Sequence, residues 1–430
     1  DANVVDAATN TVRKGVTVVI ENGVFTQVID SESVTNFTPP DEARTIEMKG
    51  LYLCPGLIDC HVHINFSDGR PATGFVDHKL RATYTLKSML ARGFTTVRDV
   101  GGADVFQKEA VDQWLTPGPR LFQGGNILSQ TGGHGDFRPR EAPAHSLCCA
   151  PDIDFCTLAD GVDGVTLATR EMIRKGAQHI KICTSGGVSS PTGESTACSM
   201  LMLDKLEGVQ FTNEEIQAIV GVTKDMRATL VTAHAYTSEA VRRAVDNGVR
   251  GIEHGNLIDR DTAKLLASTG TFLTPTLMIS TVKGRAPWNE TLPGYMREKN
   301  AMVRDAGRRA IQIAEEEGVC VCFGTDLTNG TGYLQSEEFT QRHALVPSHR
   351  VIAHATVNGA KQLDDPKLGI IKEGAYGDCL VLVANPLEDC RVLDSGKEGI
   401  WGVIKEGRVV VARKEIADQV AVDVVLGVGE

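Results

Sequence analysis

The 430-residue chain carries 44 Lys and Arg against 55 Asp and Glu, a formal net charge of −11, and no basic block able to neutralise a run of phosphates, so nucleic acid is excluded as a partner. Its longest apolar runs, Val18–Ile20 and Cys379–Ala384 among them, fall far short of the ~18–20 residues of a membrane-spanning helix, so a soluble protein with no membrane partner is expected. The 11 cysteines include no C-x-x-C pair, which excludes zinc-ribbon and disulfide-scaffold readings and points to free thiols in a reducing, cytoplasmic compartment.

The chain opens at Asp1 inside a strand-like run, so further residues are expected to precede it. From there to Gly50, apolar residues at period-two spacing (Val16, Val18, Ile20, then Val24, Val28 and Ile46) are broken by Glu21-Asn22-Gly23 and Pro39-Pro40, the pattern of a small sheet without a helix. The same texture returns after Leu368, in Cys379–Val383, Gly402–Ile404 and Val409–Val411 around Glu406-Gly407. Residues 1–54 and 360–430 are therefore assigned to one small β-sandwich domain formed from both chain ends, and residues 55–359 to a domain between them.

In that middle region short apolar runs alternate with helical patterns, the signature of repeated β-α units with a parallel sheet. Eight strands are predicted, near Leu57–His63, Thr95–Asp99, Arg120–Gly124, His179–Thr184, Leu230–Ala235, Gly251–His254, Thr271–Pro275 and Val321–Asp326. Eight is the number a closed barrel requires, so the fold class is α/β, a (β/α)8 TIM barrel carrying the small β-sandwich. Thr212-x-x-Glu215 reads as a capping box ahead of Ile216, Ile219 and Val220. Ser238 opens a second helix that Asn247-Gly248 stops. The stretch from Gly125 to Val162 shows no periodicity, and long loops of that kind in compact domains are usually functional.

Chemistry concentrates at the strand ends. In His61-Val62-His63 the two-residue period of a strand turns both imidazoles to one face. Lys181 sits in the apolar strand His179-Ile180-Lys181-Ile182-Cys183, where an unpaired ammonium is expensive to bury. His234, His254 and Asp326 each close a strand of their own. Five of the eight strands thus present a metal-compatible side chain at the rim where barrel active sites lie. Each alone reads as a local hydrogen bond or helix cap; six together, with an H-x-H pair, point to a metal centre. His78, His145, His179, His343, His349 and His354 have no such placement.

These residues resemble the amidohydrolase superfamily over nearly the whole chain: Pro55-Gly56-Leu57-Ile58-Asp59-Cys60-His61-Val62-His63 is similar to its first-strand signature. Thr95–Gly102, Ser129–Asp136 and Lys181–Gly187 resemble its metal-dependent Xaa-Pro dipeptidase-like, imidazolonepropionase-related branch, the neighbourhood of fungal ochratoxinase. The resemblance implies two divalent metal ions, zinc by expectation, with His61 and His63 on the first, His234 and His254 on the second, and Lys181 bridging them as its carbamate. It implies that Asp326 binds metal and serves as general base and acid to a metal-bridging hydroxide. His134 and Tyr236 are implied to meet the substrate carbonyl or its free carboxylate. Two divalent cations outweigh the anions of carbamate, Asp326 and hydroxide, which leaves a net positive centre suited to a developing oxyanion. From strand geometry alone, Tyr236 lies two residues beyond His234 on the same face, with simple aromatic packing as the alternative. The stretch from Pro191 to Leu206 departs from the compact loop of that branch.

The expected activity is hydrolysis of a linear amide in an N-acyl amino acid or dipeptide, in the manner of a dipeptidase or carboxypeptidase or on an ochratoxin-type amide, by a homo-oligomer acting on small-molecule or dipeptide-sized substrates. A cyclic-amide hydrolase of the hydantoinase or imidazolonepropionase kind keeps every ligand, and only the third-strand loop and Tyr236 speak against it. A mononuclear deaminase needs no strand-four lysine. A non-enzymatic scaffold predicts lost ligands, and none is lost here. Dehydrogenase and kinase readings lack their glycine-rich loops.

Overall fold

The computed structural model describes residues 1–30, 37–40, 42–67, 75–138, 143, 155–190, 205–394, 398–413, 416–424 and 426. The stretch from Pro191 to Leu206, apart from its last two residues, lies outside these, as do His145 and the centre of the Gly125–Val162 loop.

The strands, in chain order, are β1 (Ala2–Asp6), β2 (Thr11–Glu21), β3 (Val24–Ile29), β4 (Tyr52–Pro55), β5 (Leu57–Val62), β6 (Phe94–Asp99), β7 (Arg120–Gln123), β8 (Ile127–Ser129), β9 (Cys156–Leu158), β10 (Ile180–Cys183), β11 (Val231–Thr237), β12 (Gly251–Leu257), β13 (Phe272–Thr274), β14 (Cys379–Leu382), β15 (Ile400–Lys405) and β16 (Arg408–Ala412). Between the barrel strands run α1 (Phe75–Ala91), α2 (Val105–Asp112), α3 (Gly161–Arg174), α4 (Asn213–Asp225), α5 (Ser238–Asp246), α6 (Arg260–Thr269), α7 (Leu277–Lys283) and α8 (Gly294–Glu316).

β5, β6 and β10 are buried at every position, as expected of parallel strands covered on both faces. Parallel pairing joins β5 to β6 to β7 and β10 to β11 to β12 to β13. The third barrel position is split. β7 ends at Gln123, whose carbonyl accepts from Gln178 N, and the chain resumes as β8, which pairs with β10 at Leu128 and Ile182. The eighth position is not a regular strand either: Val321 makes a single bridge to Leu273. Its backbone still closes the ring, since Cys322 N donates to Leu273 O, Cys60 N to Phe323 O and Asp326 N to His61 O. Phe323 N turns aside to His354 O, and Asp326 has φ 54°, so the ladder cannot continue past this point.

Outward side chains of the strands pack on the helices: Ile180, Ile182, Val231 and Ala233 meet Ile216, Ile219, Val241 and Ala244 in one cluster. Each such aliphatic side chain contributes ~1.5–3 kcal/mol when taken out of water. The capping box at α4 forms as expected, Thr212 Oγ1 accepting from Glu215 N and Glu215 from Thr212 N. At α5 the cap is Thr237 instead of Ser238, one residue earlier, because β11 runs straight into the helix.

Both chain ends build one seven-stranded sheet in the order β16-β15-β14-β4-β1-β2-β3. It curls on itself: Gly377 N donates to Gly23 O and Gly407 N to Gly377 O, so the β2–β3 and β15–β16 turns meet. Val16 and Phe25 from one arm then share a core with Ile404 and Val409 from the other. Only Gly56 separates β4 from β5, and a Cβ there would stand 2.1 Å from Thr95 Oγ1, so no larger residue admits this junction. Arg120 ties the two parts together at Asp378 (2.7 Å) and Glu406 (2.8 Å). Among the described residues no helix is long and apolar enough to cross a membrane, and the eight described cysteines are all free.

Candidate metal centre and active site

A cavity of about 400 Å³ opens where β5, β10, β11 and β12 end, and its walls include His61, His63, Lys181, His234, His254 and Asp326 together with His134 and Tyr236. All eight residues singled out from the sequence share this one space.

His61 Nε2 and His63 Nε2 each stand 3.4 Å from Asp326 Oδ1, and the three groups can offer ligand atoms within 4.8 Å of one another. Two ligand atoms ~2.1 Å from one ion at the tetrahedral angle stand ~3.4 Å apart. The other nitrogen of each ring is occupied. His61 Nδ1 pairs with Glu253 Oε2 at 2.7 Å and His63 Nδ1 with Gly101 O at 2.9 Å, so Nε2 is the nitrogen each ring turns toward the cavity. His254 Nδ1 meets Thr276 Oγ1 at 2.7 Å. His234 is turned the other way, its Nε2 lying 3.3 Å from Gly186 O, which leaves Nδ1 as the lone-pair nitrogen. The imidazoles of His254, His61 and His234 crowd together, with centroids 5.0 Å and 4.6 Å apart.

Two backbone departures produce this convergence. Simple alternation along β12 would send Glu253 and His254 to opposite faces, yet His254 has φ 73° and both side chains reach the interior. Asp326, at φ 54°, is bent in the same manner. Left-handed backbone at a non-glycine residue is held by its surroundings and gathers at functional sites.

Electrostatics match a place built for cations. Burial lowers Lys181 from its ordinary value, with Glu253 and Asp326 opposing, and Lys181 makes no hydrogen bond or ion pair among the described residues. Burial also holds His234 and His254 well below the imidazole range. For His63 burial is outweighed by its hydrogen bond to Asp326 and that carboxylate's charge, so it is raised. Burial raises Asp326, but the charge of His61 and hydrogen bonds from His61 and His63 bring it well below the usual carboxylate range. A buried set of imidazole nitrogens and one carboxylate, beside a buried lysine without a counter-ion, fits divalent ions that accept N and O ligands.

Sequence reasoning passed over the groups beneath the rim. Glu253, fully buried, accepts from Arg98 Nη2 at 2.5 Å and from Thr232 Oγ1 as well as from His61. The charge of Arg98 and of His61 overcomes burial and holds its carboxyl well below the ordinary value. Asp59 accepts from His61 N and Thr325 Oγ1, joining β5 to the eighth barrel segment, and Asp99 accepts from Ile64 N, Gly101 N and Ala103 N below His63. The available signal was a charge inside each of two apolar strand segments, Arg98 in β6 and Glu253 in β12, which demand one another.

His134 lies on the loop after β8 with its ring 4.0 Å from that of His234 and nearly parallel to it. Its Nδ1 meets Ser190 Oγ. A Cβ at Gly187 would fall 2.1 Å from this ring, so the ring is enclosed on that side by a backbone only glycine can supply. Tyr236 is buried, stacks on His254 at 5.1 Å, and presents a hydroxyl with no hydrogen-bond partner among the described residues; burial raises its phenol above the ordinary value.

The profile of the amidohydrolase family matches residues 52–410, and the chain belongs to that family. It is a hydrolase acting on amide bonds. A prolidase solved in complex with N-methylphosphonate-L-proline is 37% identical, with a TM-score of 0.87 over 96% of this chain and 98% of the other. A Xaa-Pro dipeptidase with methionine bound in its active site is 28% identical, with a TM-score of 0.79 over 95% and 98% of the two chains. Ochratoxinase of Aspergillus niger is 28% identical over 384 residues, 83% of this chain and 75% of the relative.

Proposed function

We propose that the protein is a binuclear metal-dependent amidohydrolase that cleaves the linear amide of an N-acyl amino acid or dipeptide. The observation that carries this reading is the gathering of His61, His63, Lys181, His234, His254 and Asp326 around one cavity. His61, His63 and Asp326 would hold one divalent ion, zinc by expectation, and His234 and His254 the other. Bound there, the pair supplies Lewis-acid polarisation of the carbonyl and an ionised water at neutral pH.

Lys181, as its carbamate, would serve as a ligand to both ions. The free amine condenses with CO2 and releases a proton, and burial favours that reaction because it depresses the ammonium. A cation unfit for a metal site thereby becomes a two-oxygen anion. Asp326 takes the proton of the attacking water and delivers it to the departing nitrogen. The Tyr236 hydroxyl donates to the carbonyl oxygen as negative charge builds on it, and His134, held by His234 and Ser190, faces the same space. The solved relatives, a prolidase with a proline phosphonate and a dipeptidase with bound methionine, support an amino acid on the leaving side. The free cysteines accord with a reducing compartment such as the cytoplasm.

The test is turnover by zinc-loaded protein of a panel of N-acyl amino acids, dipeptides and cyclic amides. Cleavage of linear members is expected. Cleavage of cyclic amides alone would replace this reading with a hydantoinase-like one.

A further inference from the structure

We propose that Lys283 anchors the free carboxylate of the substrate and that Ser189 holds it in place for this purpose; the proposal rests on the linear-amide reading above. Lys283 is the last residue of α7 and lies on the wall of the same cavity as His134 and Tyr236. Its ammonium donates to Ser189 Oγ at 2.7 Å, and no carboxylate stands within 4 Å of it among the described residues. Lysines at cavity walls ordinarily find an acidic partner or reach bulk water. This one, half-buried, is held by a neutral hydroxyl, and Asp326 acts on its charge only from a distance beyond an ion pair.

The other basic groups nearby are engaged. Lys181 is the carbamate in this reading, and Lys299, behind the loop, donates to Gly187 O at 3.0 Å and is not on the cavity wall. Ser189 and Ser190 are neighbours, the first holding Lys283 and the second His134, so one short turn after β10 places both groups on the His234 side. The wall shared with Lys283 combines its ammonium with the aliphatic Val188 and Ile279, whereas the His63 side is aromatic. There Phe155 meets His63 at 5.3 Å and Phe66 at 4.5 Å, and Phe137 completes an apolar wall. A carboxylate is repelled by such a wall and drawn to an ammonium. The cavity is thus polarised, with the amino-acid half of the substrate at Lys283 and the acyl half against the phenylalanines.

The experiment compares N-acetyl-L-methionine with N-acetyl-L-methioninamide, and the same pair for other side chains, in zinc-loaded wild type, Lys283→Gln, Lys283→Arg and Ser189→Ala. The quantity read is the preference for acid over amide in kcat/KM. A charge-assisted hydrogen bond corresponds to a preference roughly 10- to 150-fold smaller in Lys283→Gln, with partial recovery in Lys283→Arg. Ser189→Ala, a change of an exposed side chain, lowers it roughly 2- to 10-fold and decides the matter if Lys283→Gln does not fold. An undiminished preference in folded Lys283→Gln, or in Ser189→Ala when that variant must decide, overturns the proposal and leaves the linear-amide reading standing. If wild type cleaves only cyclic amides, the linear-amide reading falls, and competitive inhibition by the same acid and amide decides Lys283: weakened inhibition by the acid alone in Lys283→Gln supports the anchor, and equal inhibition by acid and amide in wild type overturns it.

Discussion

Glu253→Gln is the most informative single change outside the cavity wall. Glu253 and Arg98 are 0% and 1% exposed, and Glu253 also bonds His61 Nδ1 at 2.7 Å. Removing one member of a buried ion pair costs about 3–5 kcal/mol, because the charge left behind has no water to receive it. Glutamine keeps the shape and the bond from Thr232, so the lower end, about 3 kcal/mol, is expected. The same change withdraws the carboxylate that orients His61, and losses of this kind weaken metal binding roughly 10- to 100-fold. Urea unfolding of chelator-treated protein reads the first effect and competition with a zinc chelator reads the second. Pairing Glu253→Gln with Arg98→Met separates the two. Replacing both charges restores part of the stability, because no uncompensated ion remains, but zinc affinity stays low because His61 still lacks its partner. Wild-type stability and zinc affinity in Glu253→Gln would refute both the energetic argument and the role given to His61.

Three other outcomes are expected. Elemental analysis of purified Lys181→Ala should show at least one divalent ion fewer per chain than wild type, which is expected to hold close to two; full metal content would remove the carbamate. Gly187→Ala drives a methyl to 2.1 Å from the His134 ring, which cannot retreat because His234 stacks 4.0 Å away on it, and a displacement of more than ~1 Å should lower kcat/KM about 100-fold with the fold intact by circular dichroism. Burial depresses His354 to about 4, although Glu315 beside it opposes, so below the ordinary imidazole value of ~6.5 the unfolded chain takes up a proton that the folded one declines. Stability is therefore full above pH ~6.5 and falls by about 3 kcal/mol as pH drops through ~4, a loss that urea titration should find reduced in His354→Gln.

The barrel and most of the candidate site are legible in the chain because a strand is a local object. Two-residue alternation places His61 with His63 and His234 with Tyr236 whatever the surroundings, and one lysine in an apolar strand declares that something must compensate it. The same locality explains what alternation could not place. Glu253 and His254 are neighbours that strand geometry sends to opposite faces, and only the packing that holds His254 at φ 73° turns both inward. The segment at Val321–Asp326 has the composition of a strand but receives a single bridge, since its hydrogen bonds are divided among β5, β13 and His354. Lys283 sits at the end of a helix with no motif around it, and Ser189 lies 94 residues away in sequence. Their meeting, like that of Arg98 with Glu253 across 155 residues, is decided by closure of the barrel, which brings distant segments to one rim and one core.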